Sequence, residues 1–180
     1  MKEIEVKILD VNPDQIRKKL QLLSAEKRGV YPIESVSLDF PDGRICRNKQ
    51  LLRVRQIGGK VEVCFKSRKE NSSYKVQEET EVQTNNFQDT LLIFKSLGLK
   101  IISRERKTRE SYLLAGAHVD IDLSEEIPPL VEVEAATEGD VKKVVQQLGL
   151  TMKDTTNMTG FEVTQYYRQK HQTRKGIKRD

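Results

Sequence analysis

Alternation with a period of two runs through most of this chain, and in nearly every alternating stretch one face is ionic while the other is branched aliphatic. Successive side chains of a strand point to opposite sides. Near the start, Glu3, Glu5 and Lys7 share one face and Ile4, Val6 and Ile8 the other. Arg53 and Arg55 oppose Leu52 and Val54, and Glu62, Cys64 and Lys66 oppose Val61, Val63 and Phe65. The pattern continues with Glu79 and Glu81, Lys107 and Arg109, Asp120 and Asp122, and Glu132 and Glu134. A sheet wet on one side accounts for charged faces as such. It does not account for their segregation, mostly acidic on the first strand, basic around Arg53 and acidic on the last.

Punctuation between these stretches sets the element order. A strand is expected over residues 2–10, then Asn12-Pro13 as cap and first residue of a helix to about 26, with Ile16, Leu20 and Leu23 on one face. A strand over 28–40 ends at the turn Pro41-Asp42-Gly43, and Gly58-Gly59 joins strands 51–57 and 60–67 as a hairpin. Residues 68–73 read as a mobile loop before a strand over 74–83. Asn85 or Asn86 caps a helix ending near Gly98, strands follow over 100–114, 117–123 and 130–136, and Thr137 with Asp140 opens a helix to about 148. A last helix covers 161–169. Consecutive strands favour antiparallel pairing. The expected class is α+β: an eight-stranded antiparallel closed β-barrel with helices packed outside. Residues 1–167 form the domain, and 168–180 a basic, flexible tail.

A barrel with its aliphatic face outward against helices turns its ions inward. A dry interior cannot hold them, because each unpaired buried ion costs several kcal/mol. Such an interior is wet, its basic groups awaiting a polyanion and its carboxylates awaiting cations. A triphosphate with divalent metal serves both sets. With only His118 and His171, and Cys46 and Cys64 as two free thiols, zinc of the ordinary kind is excluded, leaving carboxylate-held magnesium, manganese or calcium. The net charge of +5 suggests a nucleic-acid partner only until it is located: residues 168–180 hold six basic residues against one acid, so the body is balanced. No apolar run long enough to span a bilayer and no signal-peptide layout are evident, which gives a cytoplasmic expectation.

Taken in order, these residues resemble the CYTH superfamily, the triphosphate tunnel metalloenzymes. Glu3-Ile4-Glu5-Val6-Lys7 matches its E-x-E-x-K, and Leu52-Arg53-Val54-Arg55 its L-R-x-R. Phe65-Lys66, Glu79-Thr80-Glu81, Lys107-Thr108-Arg109 with Tyr112, and Asp122 with Glu132-Val133-Glu134 resemble its later basic and acidic strands. The resemblance implies a tunnel in which Lys7, Arg53, Arg55, Lys66, Lys107 and Arg109 hold phosphates. Glu3, Glu5, Asp122, Glu132 and Glu134, with Glu79 and Glu81, would hold one or two Mg2+ or Mn2+ ions, and Glu5, Lys7 and Glu134 would be catalytic. Two departures stand out: Gln77 occupies a place where the family often has arginine, leaving Lys75 nearby, and Ile127-Pro128-Pro129 replaces a glycine-bearing segment.

Phosphoryl transfer needs positioning and charge neutralisation more than covalent chemistry, and no Ser-His or Cys-His pair is evident. The expected function is metal-dependent hydrolysis of inorganic tripolyphosphate or a small organic triphosphate. The alternatives are a class IV adenylate cyclase and a non-catalytic module binding polyphosphate or RNA ends. Expected partners are a triphosphate-containing small molecule, with room for a homodimer, no membrane, and no nucleic acid beyond a weak contact of the tail.

Overall fold

The computed structural model describes residues 4–68 and 75–176. Glu3 and residues 69–73 of the expected loop lie outside the described residues, as do the side chains of Lys75 and Gln77. The elements in order are β1 (Ile4–Ile8), α1 (Pro13–Leu22), β2 (Glu26–Asp39), α2 (Arg44–Arg47), β3 (Gln50–Ile57), β4 (Lys60–Arg68), β5 (Lys75–Thr84), α3 (Phe87–Ser96), β6 (Lys100–Leu114), β7 (Ala117–Leu123), β8 (Leu130–Ala135), α4 (Glu138–Gln147), β9 (Thr155–Thr156) and α5 (Gly160–Gly176).

All strands join one antiparallel sheet in the order β5-β4-β3-β2-β6-β7-β8-β1-β9. β1 also pairs with β5 at Ile4↔Val76 and Glu5↔Lys75, so the two ends of the eight-strand run meet along a short seam. The expected eight strands are joined by the two-residue β9, which flanks β1. The short α2 is a further addition. It forms because Asp39 ends β2 with its carboxylate aimed back at the chain, accepting from the backbone N–H groups of Phe40, Ile45 and Cys46 at 2.7, 2.9 and 2.9 Å.

Local sequence explains the boundaries. Asn12 accepts from the N–H of Asp14 and Gln15 with Pro13 at the first helical position, Asn86 accepts from Asp89, and Thr137 accepts from Asp140. Gly58 and Gly59 both take positive φ, 55° and 84°, as a two-residue hairpin requires. α5 starts one residue early and runs beyond the expected stop at Gln169 to Gly176.

The aliphatic faces point outward and are covered. Ile4, Val6, Val119, Ile121, Val131 and Val133 pack with Ile16 and Leu20 of α1 and with Val141, Val144 and Val145 of α4. A second core joins Val36, Leu38, Val54 and Val61 to Ile45 of α2 and to Phe87 and Leu91 of α3. Tyr112 belongs to the first core, and its hydroxyl donates to Glu110 at 3.2 Å. His118 is an exposed strand residue. Both cysteines are free thiols. Among the described residues, no helix is long and apolar enough to cross a membrane.

Candidate functional site

With the aliphatic faces outside, the ionic faces of the sheet bound a cavity of about 360 Å3. Nine of the expected site residues line it: Glu5 and Lys7 from β1, Arg53 and Arg55 from β3, Lys66 from β4, Lys107 and Arg109 from β6, and Glu132 and Glu134 from β8. Register brings them together. Glu5 lies opposite Glu134 and Lys7 opposite Glu132 across the β1–β8 pair, and Asp122 lies opposite Arg109 across β6–β7.

The ions form two groups. On one side Lys7 contacts the Glu5 carboxylate and lies 3.1 Å from Glu132. Arg109 spreads over three carboxylates: Nε and Nη2 reach Asp122 at 2.7 Å, Nη1 reaches Asp120 at 2.7 Å, and Nη2 also meets Glu132. Lys107 Nζ lies 2.6 Å from Asp122. Asp122 is buried and does not line the cavity; both of its oxygens accept from these two cations. Burial opposes the charge of Lys107 and Arg109, but the carboxylates outweigh it. Asp122 and Glu132 raise the Lys107 pKa, and Glu132, Asp122 and Asp120 hold that of Arg109 well above its ordinary value. Burial raises the pKa of Asp120 despite Arg109 and a 2.6 Å hydrogen bond from Ser111.

On the other side Arg55 donates to Glu62 at 2.6 and 3.0 Å and approaches Glu81 at 3.8 Å. Glu79 accepts from Lys66 and, at 2.7 Å, from the buried Cys64 thiol. Burial and that bond to Glu79 push the Cys64 thiol up to about 12, so it stays protonated at neutral pH. For Glu79, burial is outweighed by the hydrogen bonds from Cys64 and Lys66, and its pKa falls below the ordinary carboxylate value. Ligand atoms of Cys64, Glu79 and Glu81 lie within 4.8 Å of one another, close enough to share one cation. Glu79 and Glu81 are not part of the cavity lining.

Between the groups stands Arg53. It lines the cavity, yet among the described residues it has no ion-pair partner, and its Nε is shut off from solvent without a hydrogen-bond acceptor. Burial, then the charges of Arg55 and Arg109, push its pKa down despite Cys64 and Glu79. Its guanidinium therefore keeps donor capacity that its surroundings do not use.

Several lining residues were not evident from the alternation of charge. Ser35 and Ser37 of β2, Ser103 of β6, and Phe161, Thr164 and Arg168 of α5 complete the wall. Serine in a strand carries no distinctive signal. The α5 set is visible only as an i, i+3, i+7 spacing that mixes aromatic, hydroxyl and cation.

The CYTH domain family model matches residues 1–172. A search of curated proteins finds no match. Among solved structures, the PH1012 protein of Pyrococcus horikoshii OT3 is 26% identical with a TM-score of 0.79, covering 89% of this chain and 98% of that one. A candidate adenylate cyclase from Vibrio parahaemolyticus, 15% identical, superposes with a TM-score of 0.79 over 91% of this chain and 97% of its own. HpAC1 of Hippeastrum, a candidate adenylyl cyclase described as having a dominant triphosphatase activity, is 16% identical with a TM-score of 0.68, covering 92% and 96%. The last two likenesses concern the fold. With the family model spanning nearly the whole chain and its ionic strands gathered around one chamber, this protein belongs to the CYTH domain family.

Proposed function

We propose that the chain is a divalent-metal-dependent triphosphatase acting on inorganic tripolyphosphate or a small organic triphosphate in the charged cavity. The observation that carries this is Arg53, a cavity-lining guanidinium with no ion-pair partner among the described residues, set beside Arg55, Lys66, Lys107 and Arg109. A chain of phosphates supplies the acceptor that Arg53 lacks and is long enough to reach the neighbouring cations as well.

Arg53 and Arg55 offer planar forks to phosphate oxygens, and Lys66 and Lys107 offer point charges. Asp122 keeps Lys107 and Arg109 charged and aimed, so these cations are set before the anion arrives. Glu5 and Glu134 face each other across neighbouring strands, which sets two carboxylates on one stretch of the cavity wall. With Glu132 they form an all-carboxylate donor set that suits magnesium or manganese. These carboxylates would hold the ion, which would supply charge neutralisation while water forms the new bond to the terminal phosphorus and the remaining phosphate chain leaves. Lys7, in contact with Glu5 and Glu132, fixes those carboxylates and adds charge on the leaving side.

Purified protein incubated with tripolyphosphate or nucleoside triphosphates and magnesium or manganese should release orthophosphate, and a chelator should stop it. Cyclic AMP and pyrophosphate from ATP would replace hydrolysis by cyclisation. Binding without turnover of any triphosphate would defeat the enzymatic proposal.

A further inference from the structure

Asp120 and Ser111 stand behind the cavity wall. Neither lines the cavity, so neither is placed to touch a bound anion. Strand register sets Asp120 between two neighbours, Ser111 of β6 on one side and Glu132 of β8 on the other. Glu132 in turn lies opposite Lys7 of β1. One cross-strand row therefore runs Ser111, Asp120, Glu132, Lys7. Carboxylates directly opposite each other on one sheet face repel. Here Arg109 serves both: its Nη1 is ion-paired with Asp120 at 2.7 Å, while its Nη2 meets Glu132. Ser111 donates to Asp120 Oδ1 at 2.6 Å, which turns Oδ2 to the guanidinium.

Asp122 already holds the Nε and Nη2 edge of Arg109. With Asp120 on Nη1, the guanidinium is gripped from two sides, and Glu132 meets it through Nη2 alone. Without Asp120, the guanidinium charge is left to Asp122 and Glu132, and more of it falls on Glu132. A carboxylate neutralised in this way is a poorer ligand for a cation. The charge balance of the group points the same way. Among the described residues, the ion pairs around Lys7, Lys107 and Arg109 join three cations to five carboxylates. The excess of two negative charges matches one divalent cation, and a neutral residue in place of Asp120 halves it.

Resting on the metal-dependent triphosphatase reading above, we propose that Asp120, oriented by Ser111, is a positioning residue for the carboxylates that take the divalent cation. It draws Arg109 off Glu132 and so leaves Glu132 the negative charge with which to hold the ion.

The test measures Mn2+ binding to the full chain, with no triphosphate present, from the electron paramagnetic resonance signal of the free ion. Asp120→Asn should weaken Mn2+ binding about tenfold. Ser111→Ala, which removes one hydroxyl, should weaken it about threefold, and Ser111→Thr should restore it. Glu110→Gln removes a β6 carboxylate that faces α1 instead, and should leave Mn2+ affinity unchanged. In phosphate release, Asp120→Asn should need more Mn2+ for half-maximal rate yet approach the wild-type kcat at saturating Mn2+. A residue that merely supported the fold would lower the melting temperature and leave the Mn2+ affinity of the folded protein as it was. Should Asp120→Asn fail to fold, the two Ser111 variants decide. Wild-type Mn2+ affinity in Asp120→Asn, or in Ser111→Ala where that variant decides, overturns the positioning role; tripolyphosphate hydrolysis by the wild type then leaves the triphosphatase reading standing. A wild type that neither binds Mn2+ nor hydrolyses any triphosphate overturns both.

Discussion

Replacing Arg53 with methionine should stabilise the ligand-free protein while weakening its hold on triphosphate. The two signs come from one observation. Arg53 Nε is closed to solvent with no acceptor, and the residue has no ion-pair partner among those described. An unsatisfied buried donor costs about 1–3 kcal/mol. The rest of the side chain is only partly buried, so we take the lower half of that range. Methionine fills similar space without the donor, and a gain of about 1–2 kcal/mol raises the melting temperature of a chain this long by about 3–6 °C. Losing charge-assisted hydrogen bonds to phosphate, about 1.5–3 kcal/mol, weakens binding roughly 10- to 150-fold. Arg55 is the control. It donates to Glu62 at 2.6 and 3.0 Å, and Glu62 is buried, so Arg55→Met strands a carboxylate and destabilises by about 2 kcal/mol. Thermal melts with and without tripolyphosphate, plus calorimetric titration, read both quantities. An Arg53→Met protein that melts lower than wild type, or that binds tripolyphosphate equally well, refutes the reasoning.

Further substitutions separate the roles. Glu5→Gln should abolish phosphate release while sparing most triphosphate binding, measured by turnover and calorimetry on the same preparation. Asp122→Asn leaves the shape but removes the charge that Lys107 and Arg109 share in a buried position; it should cost about 3 kcal/mol in urea unfolding. Outside the cavity, Glu110 is held by Arg17 at 2.6 and 3.0 Å, tying α1 to β6. That hydrogen bond outweighs burial and lowers the Glu110 pKa beneath the ordinary carboxylate value, so its contribution is present above the unfolded value and lost as pH falls through the folded value. Glu110→Gln should therefore cost about 1 kcal/mol at pH 7, screened by salt because Arg17 is partly exposed, and progressively less as the pH is lowered, as chemical denaturation across an acid series would show.

What could be read from the sequence was what local periodicity controls. Ile4, Val6, Val131 and Val133 announce an outward apolar face by alternation alone, and Asn12, Gly58 and Thr137 set boundaries through their own backbone needs. The convergence of Glu5, Arg55, Lys107 and Glu134 on one cavity follows from that alternation once the sheet curls. The destination of each charge depends instead on register. That Asp122 serves Lys107 and Arg109 follows from its pairing opposite Arg109, which no local pattern announces. α2 is four residues long, too short for a periodic signal, and its cause, Asp39, looks like any turn residue. Ser35, Ser37 and Ser103 escaped notice because a small hydroxyl is equally at home facing water, a partner or a ligand.

The seam between β1 and β5, and the place of β1 beside β8, bear on how the protein is made. Before segments from the far half of the chain exist, β1 can pair only through the two-residue seam with β5: its longest pairing, from Ile4↔Ala135 to Ile8↔Val131, spans more than 120 residues. At ribosomal speeds of 5–20 residues per second, that strand waits roughly ten seconds, with Val6 and Ile8 bare of their eventual cover. Such long-range closure is slow by nature, so the nascent N-terminal segment is the portion most in need of a chaperone during synthesis.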